Sequence, residues 1–337
     1  VADPIATAVT AQAKLATKSA ATLLRQIVAL WAALGPSQWW NDDLVAGNAA
    51  ASATLADAAL AHTRRTERSF QTAVMRRMDV SPRTLPPLTD GYPRANVTPF
   101  EVYQRPAKEL RFLQAQGLSF DEAHQRATRR AQNLVDADLR RARFDESRSL
   151  YSSTAMIVAT RRVIHPELSQ SGTCGLCIVA ASQVYGTSEL QGLHDGCNCT
   201  QLPVTGKSDP GLTLNRNDLD EIYAAAGGND AGALLNTRIQ VVEHGELGPV
   251  LIKQGDHFRT PEEAGLPSFV PSTPETIRAA RAAELEQITT ALPIAEANYA
   301  QLIKTVEPGQ GEALQLWLAA QRMRDRVRSL QIWLSTH

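Results

Sequence analysis

Small and apolar residues fall on one helical face along Ile5, Ala8, Gln12, Leu15, Ser19, Leu23, Ile27, Leu30 and Leu34, in steps of three and four, and Gly35-Pro36 stops the run. A second periodic stretch starts at Ser37 or Asn41 and passes through Leu44, Leu55, Ala59, Phe70, Val74 and Met75 to Met78. Its middle, AAASATLADAALA, is made of side chains small enough to let a neighbouring helix come close. The pattern predicts an N-terminal helical hairpin over residues 1–80, with Trp31, Trp39 and Trp40 clustered at its turn as core or interface. Four prolines and a glycine between Ser81 and Pro93 predict an extended linker over 81–97.

Periodicity resumes with two capping boxes, Thr98-Pro99-Phe100-Glu101 and Ser119-Phe120-Asp121-Glu122. The first opens a helix to about Gln116, disturbed near Pro106 and stopped by Gly117; the second opens one that runs past Arg148. Tyr151–Val163 reads as the end of that helix or as a separate one. Gln201–Val204 reads as a short strand, and Asn215–Ala226 as a helix closed by Gly227-Gly228. Residues 238–254 alternate about the link His244–Gly248, as a β-hairpin does. Prolines mark a second linker at 260–274. Beyond it, residues 275–337 predict a helix through Ile277, Leu285, Ile288 and Leu292, with a kink or break at Pro293. A last helix carries the seam Leu316, Ala320, Met323, Val327, Leu330 and Leu334. The expected fold is mainly α: long N- and C-terminal helices around a small zinc-stapled α+β module with a β-hairpin, the module spanning 98–259.

Composition changes this picture in two ways. Aromatic residues make up only 5% of the 337, and alanine is abundant, which favours helix over sheet. Charge is balanced overall but not along the chain: residues 1–150 hold 20 basic against 15 acidic residues, leaving 14 against 20. The basic half admits an anionic partner. The apolar run Gln26–Gly35 is too short to span a bilayer and lacks the form of a signal peptide, so the expectation is a soluble chain made in the cytoplasm, with no membrane partner.

All four cysteines lie in one window. Cys174 and Cys177 form C-x2-C; after a spacer of nineteen residues Cys197 and Cys199 form C-x-C, with His194 three residues before Cys197. Two thiolates from one tight turn and two ligands from another close a tetrahedral Zn²⁺ site. Five candidates compete for four positions: Cys174, Cys177 and Cys197 with either His194 or Cys199. The competing readings are two disulfides, which need an oxidising compartment, and a redox C-x-x-C, which needs a βαβ context. The nearest carboxylates, Glu189 and Asp195, make no H-E-x-x-H pattern, so the centre reads as a structural zinc knuckle (173–204), not a catalytic one. His244, Asp256 and His257 are a weak second cluster at the hairpin ends.

The run RRVIHPELSQSGTCGLCIVAAS, followed by LHDGCNCTQLPV, resembles the Mu F-like minor capsid (head morphogenesis) proteins of tailed bacteriophages. In that family a T-C-x-x-C segment precedes an H-x-x-C-x-C segment and a short strand ending near proline. Thr173–Cys177, His194–Cys199 and Leu202–Val204 match it, with Asp195-Gly196 where Pro-Asn is often seen. The resemblance covers roughly residues 98–259, is specific at the cysteines and diffuse elsewhere. It implies a virion protein inside the capsid, bound to the portal, with major capsid or scaffold protein and packaged double-stranded DNA as further partners, and not an enzyme.

One more stripe bears on DNA. On an ideal helix Arg126, Arg129, Arg130, Arg140, Arg141 and Arg148 fall within an arc of about 120°. Guanidinium groups so placed contact phosphates without reading bases; alternatively the face is solvated or paired with Asp136 and Asp145. The rival functions are a zinc-dependent nuclease or hydrolase and a nonspecific DNA-binding zinc scaffold. The helical ends have more apolar surface than the module needs. Either they pack on each other through Trp31, Trp39, Trp317 and Trp333, or they dock on the portal.

Overall fold

The computed structural model of the chain describes residues 3–165, 168, 175–187, 199–216, 239–253 and 260–337; for 175–177, 179, 239–242 and 248–253 it describes the backbone alone. The protein is mainly helical with little sheet. Its elements are α1 (Pro4–Ala32), a 3₁₀ turn (Pro36–Trp40), α2 (Asp42–Arg77), α3 (Pro99–Ala115), α4 (Phe120–Ser152), β1 (Ile157–Val163), α5 (Gly175–Ser182) and β2 (Val184–Tyr185). After them come β3 (Thr200–Thr205), a helical stretch at 210–216, β4 (Ile239–His244), β5 (Gly248–Lys253), α6 (Pro274–Leu302) and α7 (Gly311–Thr336).

Local chemistry sets the helix ends. Thr98 Oγ1 accepts from Glu101 N at 3.2 Å while Glu101 Oε2 accepts from Thr98 N at 2.8 Å. Ser119 and Glu122 repeat the exchange at 3.3 and 3.1 Å. Gly117, at φ 92°, takes the left-handed conformation that ends α3. Pro293 lies inside α6, which runs through it without the expected break. The window expected to be helical, Tyr151–Val163, splits: α4 ends at Ser152 and 157–163 is a strand. That strand is covered on both faces over most of its length, so it lacks the alternation that reveals a strand in sequence.

Two compact units emerge. Both draw on α1, α2 and α4. One comprises residues 1–20, 60–93 and 137–270; the other 21–59, 94–136 and 271–337. Each of these long helices contributes different turns to different units.

The first unit is built on an antiparallel sheet in the order β2-β1-β3, with the hairpin β4-β5 as a second sheet. Val9 of α1, Phe70 and Val74 of α2, Val163 of β1 and Leu202 of β3 form one apolar cluster; Met75, Val80, Leu150, Tyr151 and Ile157 form another. A buried polar seam runs beside them. Glu67 accepts from Gln12 (2.7 Å), Gln71 (2.6 Å) and Ser147 (2.8 Å), and Gln71 also donates to the Gln201 carbonyl at 2.9 Å. Tyr151, hydrogen-bonded to Gln71, has its hydroxyl pKa pushed far up by burial and by the Glu67 charge, so it stays protonated. The proline-rich segment is irregular, but its middle is docked. Arg68 donates to the carbonyls of Pro86 (2.6 Å) and Pro87 (2.8 Å) and pairs with Glu146, which accepts from Thr89 N and Oγ1 at 2.9 Å.

In the second unit α6 and α7 lie antiparallel, as the pairs Arg326–Glu284 and Arg324–Glu296 require. Gly47 of α2 meets Ala319 of α7 so closely that a Cβ on Gly47 would lie 2.4 Å from the Ala319 Cα and Cβ. Leu316, Ala320, Met323 and Leu330 of the expected seam are buried, and Arg326 is buried among them. Trp31 stacks on Trp39 at 5.1 Å, whereas Trp333 packs on Arg281 and His337 and Trp317 is exposed, so the four tryptophans do not make one core. One helix among the described residues, α2, is long and apolar enough to cross a membrane, and 61% of its apolar window is buried within the protein.

Candidate metal centre

The sequence-predicted centre belongs to the first unit. Cys174, His194 and Cys197 lie outside the described residues, as do Asp256 and His257 of the weaker cluster. Cys177 stands in the first turn of α5, where only the backbone is described, and Cys199 stands one residue before β3, 2% exposed and in no disulfide.

What fixes these two positions is β1. The strand pairs with β3 from Val163–Thr200 to Ile157–Thr205, and α5 packs against it. Arg161 of β1 clamps the end of that helix. Its Nη1 donates to the carbonyls of Ala181 (3.2 Å), Ser182 (2.9 Å) and Gln183 (3.2 Å), where the helix leaves acceptors unsatisfied. Its other edge holds Asp209 at 2.8 Å. Asn215 bridges the same pieces: Nδ2 donates to the carbonyls of Arg162 (2.6 Å) and Ala181 (3.1 Å), and Oδ1 accepts from Ile164 N at 3.1 Å. Gly211 is packed against Arg161, where a Cβ would sit 3.2 Å from that side chain. The helix bearing Cys177 and the strand entered from Cys199 are thus borne by one scaffold.

The other face of β1 carries a feature that sequence reasoning missed. Arg162 is wholly buried, between the rings of Phe144 (5.4 Å) and Tyr185 (5.5 Å), and among the described residues none of its three guanidinium nitrogens has a hydrogen-bond acceptor. Gln201, its partner across the β1–β3 ladder, is 1% exposed, and among the described residues neither end of its side-chain amide is hydrogen-bonded. Burial raises the Tyr185 hydroxyl pKa, which the Arg162 guanidinium partly offsets; that hydroxyl donates to the Ala180 carbonyl at 2.8 Å. The sequence signal was the pair Arg161-Arg162 inside an apolar strand, a place where adjacent arginines each need a counter-charge.

His165 is buried with Nε2 2.9 Å from Thr200 Oγ1, as a core histidine at the β1–β3 end. His244 Nδ1 accepts from Glu246 N (3.1 Å) and Leu247 N (3.3 Å), closing the hairpin turn. The arginine stripe divides by burial. Arg126, Arg129 and Arg130 are exposed, Arg140 and Arg141 are buried, and Arg148 is half-buried with Asp145 at 3.0 Å. Arg141 reaches the same carboxylate at 3.2 Å and lies over the Phe269 ring at 5.6 Å.

Compared with family models, curated proteins and solved structures, the chain matches none.

Proposed function

We propose that the chain is a structural minor capsid protein of a tailed bacteriophage, held at the portal inside the head, with one Zn²⁺ stapling residues 173–204. The observation that carries the metal is the shared scaffold: β1 holds both the helix of Cys177 and the strand entered from Cys199. A buried, closed thiolate site of this kind replaces apolar core in a loop-rich segment and contributes its binding energy to folding. The placement of the protein at the portal rests on the resemblance of 161–204 to Mu F-like proteins. The exposed Arg126, Arg129 and Arg130 suit nonspecific contact with packaged DNA.

Two measurements test this. Metal analysis of purified protein is expected to find one zinc per chain, absent from Cys197→Ser; full zinc in a Cys174→Ser/Cys197→Ser double variant refutes the assignment. Co-expression with the portal protein of the same phage is expected to give a complex that survives purification. Metal-dependent cleavage of duplex DNA by the purified chain would instead support the nuclease reading.

A further inference from the structure

The proline-rich segment of the first unit repeats its exposure every third residue. Pro86 and Thr89 are half-buried, while Thr84, Leu85, Pro87, Leu88 and Asp90 are exposed. A polyproline II helix has three residues per turn and no internal hydrogen bonds, so it forms a prism with three edges. The residues themselves impose that form: Pro86 and Pro87 fix their own φ, and each holds the residue before it extended. The edge of Pro86 and Thr89 faces the protein. Arg68 of α2 donates to the carbonyls of Pro86 (2.6 Å) and Pro87 (2.8 Å), and Glu146 of α4 accepts from Thr89 N and Oγ1 at 2.9 Å. Arg64 holds the chain just beyond, donating to the Gly91 carbonyl at 2.6 Å. The other two edges face solvent, and Leu85 and Leu88, one turn apart on one of them, are 50% and 41% exposed.

We propose that residues 83–89 are a preformed ligand for a partner protein whose groove is lined with aromatic side chains and rimmed with acidic ones. Grooves of that kind take polyproline II segments because the helix is already ordered, so little entropy is lost on binding. Here the backbone is tied down along its inner edge, which orders the segment and leaves the leucines uncovered. Leu85 and Leu88 present two apolar side chains on one edge, with the exposed Pro87 on the next. Arg83 supplies the charge: it is exposed and makes no ion pair or hydrogen bond among the described residues. A free cation two residues before the first leucine favours an acidic rim over a neutral one and fixes the register of the segment in the groove. A single exposed leucine is ordinary on a protein surface. Two at the helical repeat, on a clamped backbone beside a free arginine, make a recognition surface.

The test uses the full-length chain and a panel of purified SH3 domains as probes for grooves of this chemistry, with binding read by titration calorimetry. At least one domain is expected to bind the wild-type chain. Leu85→Ser/Leu88→Ser is expected to weaken that binding about 10–100-fold, as loss of buried leucine side chains from an interface does. Both positions are exposed, so this variant should keep the wild-type circular dichroism spectrum and melting temperature. Arg83→Glu is expected to weaken binding and to reduce its dependence on salt. A synthetic peptide of residues 81–91 is expected to bind more weakly than the chain, since it lacks the anchors that order the segment. Binding by no domain of the panel, unchanged binding in Leu85→Ser/Leu88→Ser, or a peptide that binds more tightly than the chain overturns the inference.

Discussion

Replacing Arg326 by methionine should strand a carboxylate in the second unit. Arg326 is 1% exposed and bonds Glu284 through Nε (2.9 Å) and Nη2 (2.8 Å to each oxygen), while Nη1 reaches Asp57 at 2.5 Å. Arg281 holds the far side of Asp57 at 2.5 Å and 3.2 Å. The four groups form a neutral quartet joining α2, α6 and α7. Methionine has nearly the helix propensity of arginine and fills much of the same space, so the change isolates the charge. Glu284, fully buried, then has only the distant Arg281, at 3.9 Å. Removing one partner of a buried pair costs about 3–5 kcal/mol, because the other charge remains desolvated. At about 2–4 °C per kcal/mol for a unit of 150–250 residues, the first melting transition should fall by roughly 10 °C.

The loss should depend on pH. Burial already raises the Glu284 pKa, and Arg326 offsets this only in part. Without Arg326 the carboxyl takes a proton more readily, so urea denaturation followed by circular dichroism should show a smaller loss near pH 5 than near pH 8. Arg326→Met/Glu284→Leu should recover to within about 1 kcal/mol of wild type, since an apolar pair of similar volume substitutes for a buried ion pair. A single variant within about 0.5 kcal/mol of wild type at pH 8, or a double variant less stable than the single, would refute the reasoning.

Gly47→Ala adds helix propensity of about 1 kcal/mol, yet it should destabilise by about 1–3 kcal/mol, because its Cβ would lie 2.4 Å from Ala319; thermal melts should show Ala319→Gly restoring it. Asp57 is buried, which raises its pKa, but Arg326 and Arg281 outweigh this and hold it below its usual range. The stability it adds is therefore complete above the unfolded carboxyl value and lost as pH falls through the lowered folded one, so Asp57→Asn should cost less at pH 3 than at pH 7 in a denaturation series. Arg126→Gln/Arg129→Gln/Arg130→Gln should lower nonspecific duplex affinity and reduce its salt slope by about 2–3. Arg140→Gln/Arg141→Gln should instead lower stability; an unchanged slope in the triple variant would exclude phosphate contact by that face.

The helices were largely legible because their signals are local. The capping boxes at Thr98 and Ser119, the left-handed Gly117 and the apolar steps through α1, α2 and α7 depend on neighbours within a turn or two. The hairpin at 239–253 was legible for the same reason: two β-rich runs and a short turn. β1 was not, since its identity comes from pairing with β3, some forty residues away, and from cover on both faces. Pro293 read as a breaker, but a helix packed along its neighbour tolerates one lost hydrogen bond.

For the candidate site, cysteine and histidine spacing named five candidate ligands and a preference for zinc, because coordination requires particular atoms at short separations. The residues around them were decided by the fold. Arg161 and Arg162 are neighbours with the same side chain, yet one caps α5 and holds Asp209 while the other is buried between two rings without an acceptor among the described residues. Likewise six arginines share one arc of an ideal helix, but packing exposes Arg126, Arg129 and Arg130 and buries Arg140 and Arg141. Periodicity alone determined where helices form and which of their faces are apolar, since both follow from contacts a few residues apart. Which charges are buried, and against what, was decided only when distant segments met, because desolvation and pairing are properties of the neighbours the fold supplies.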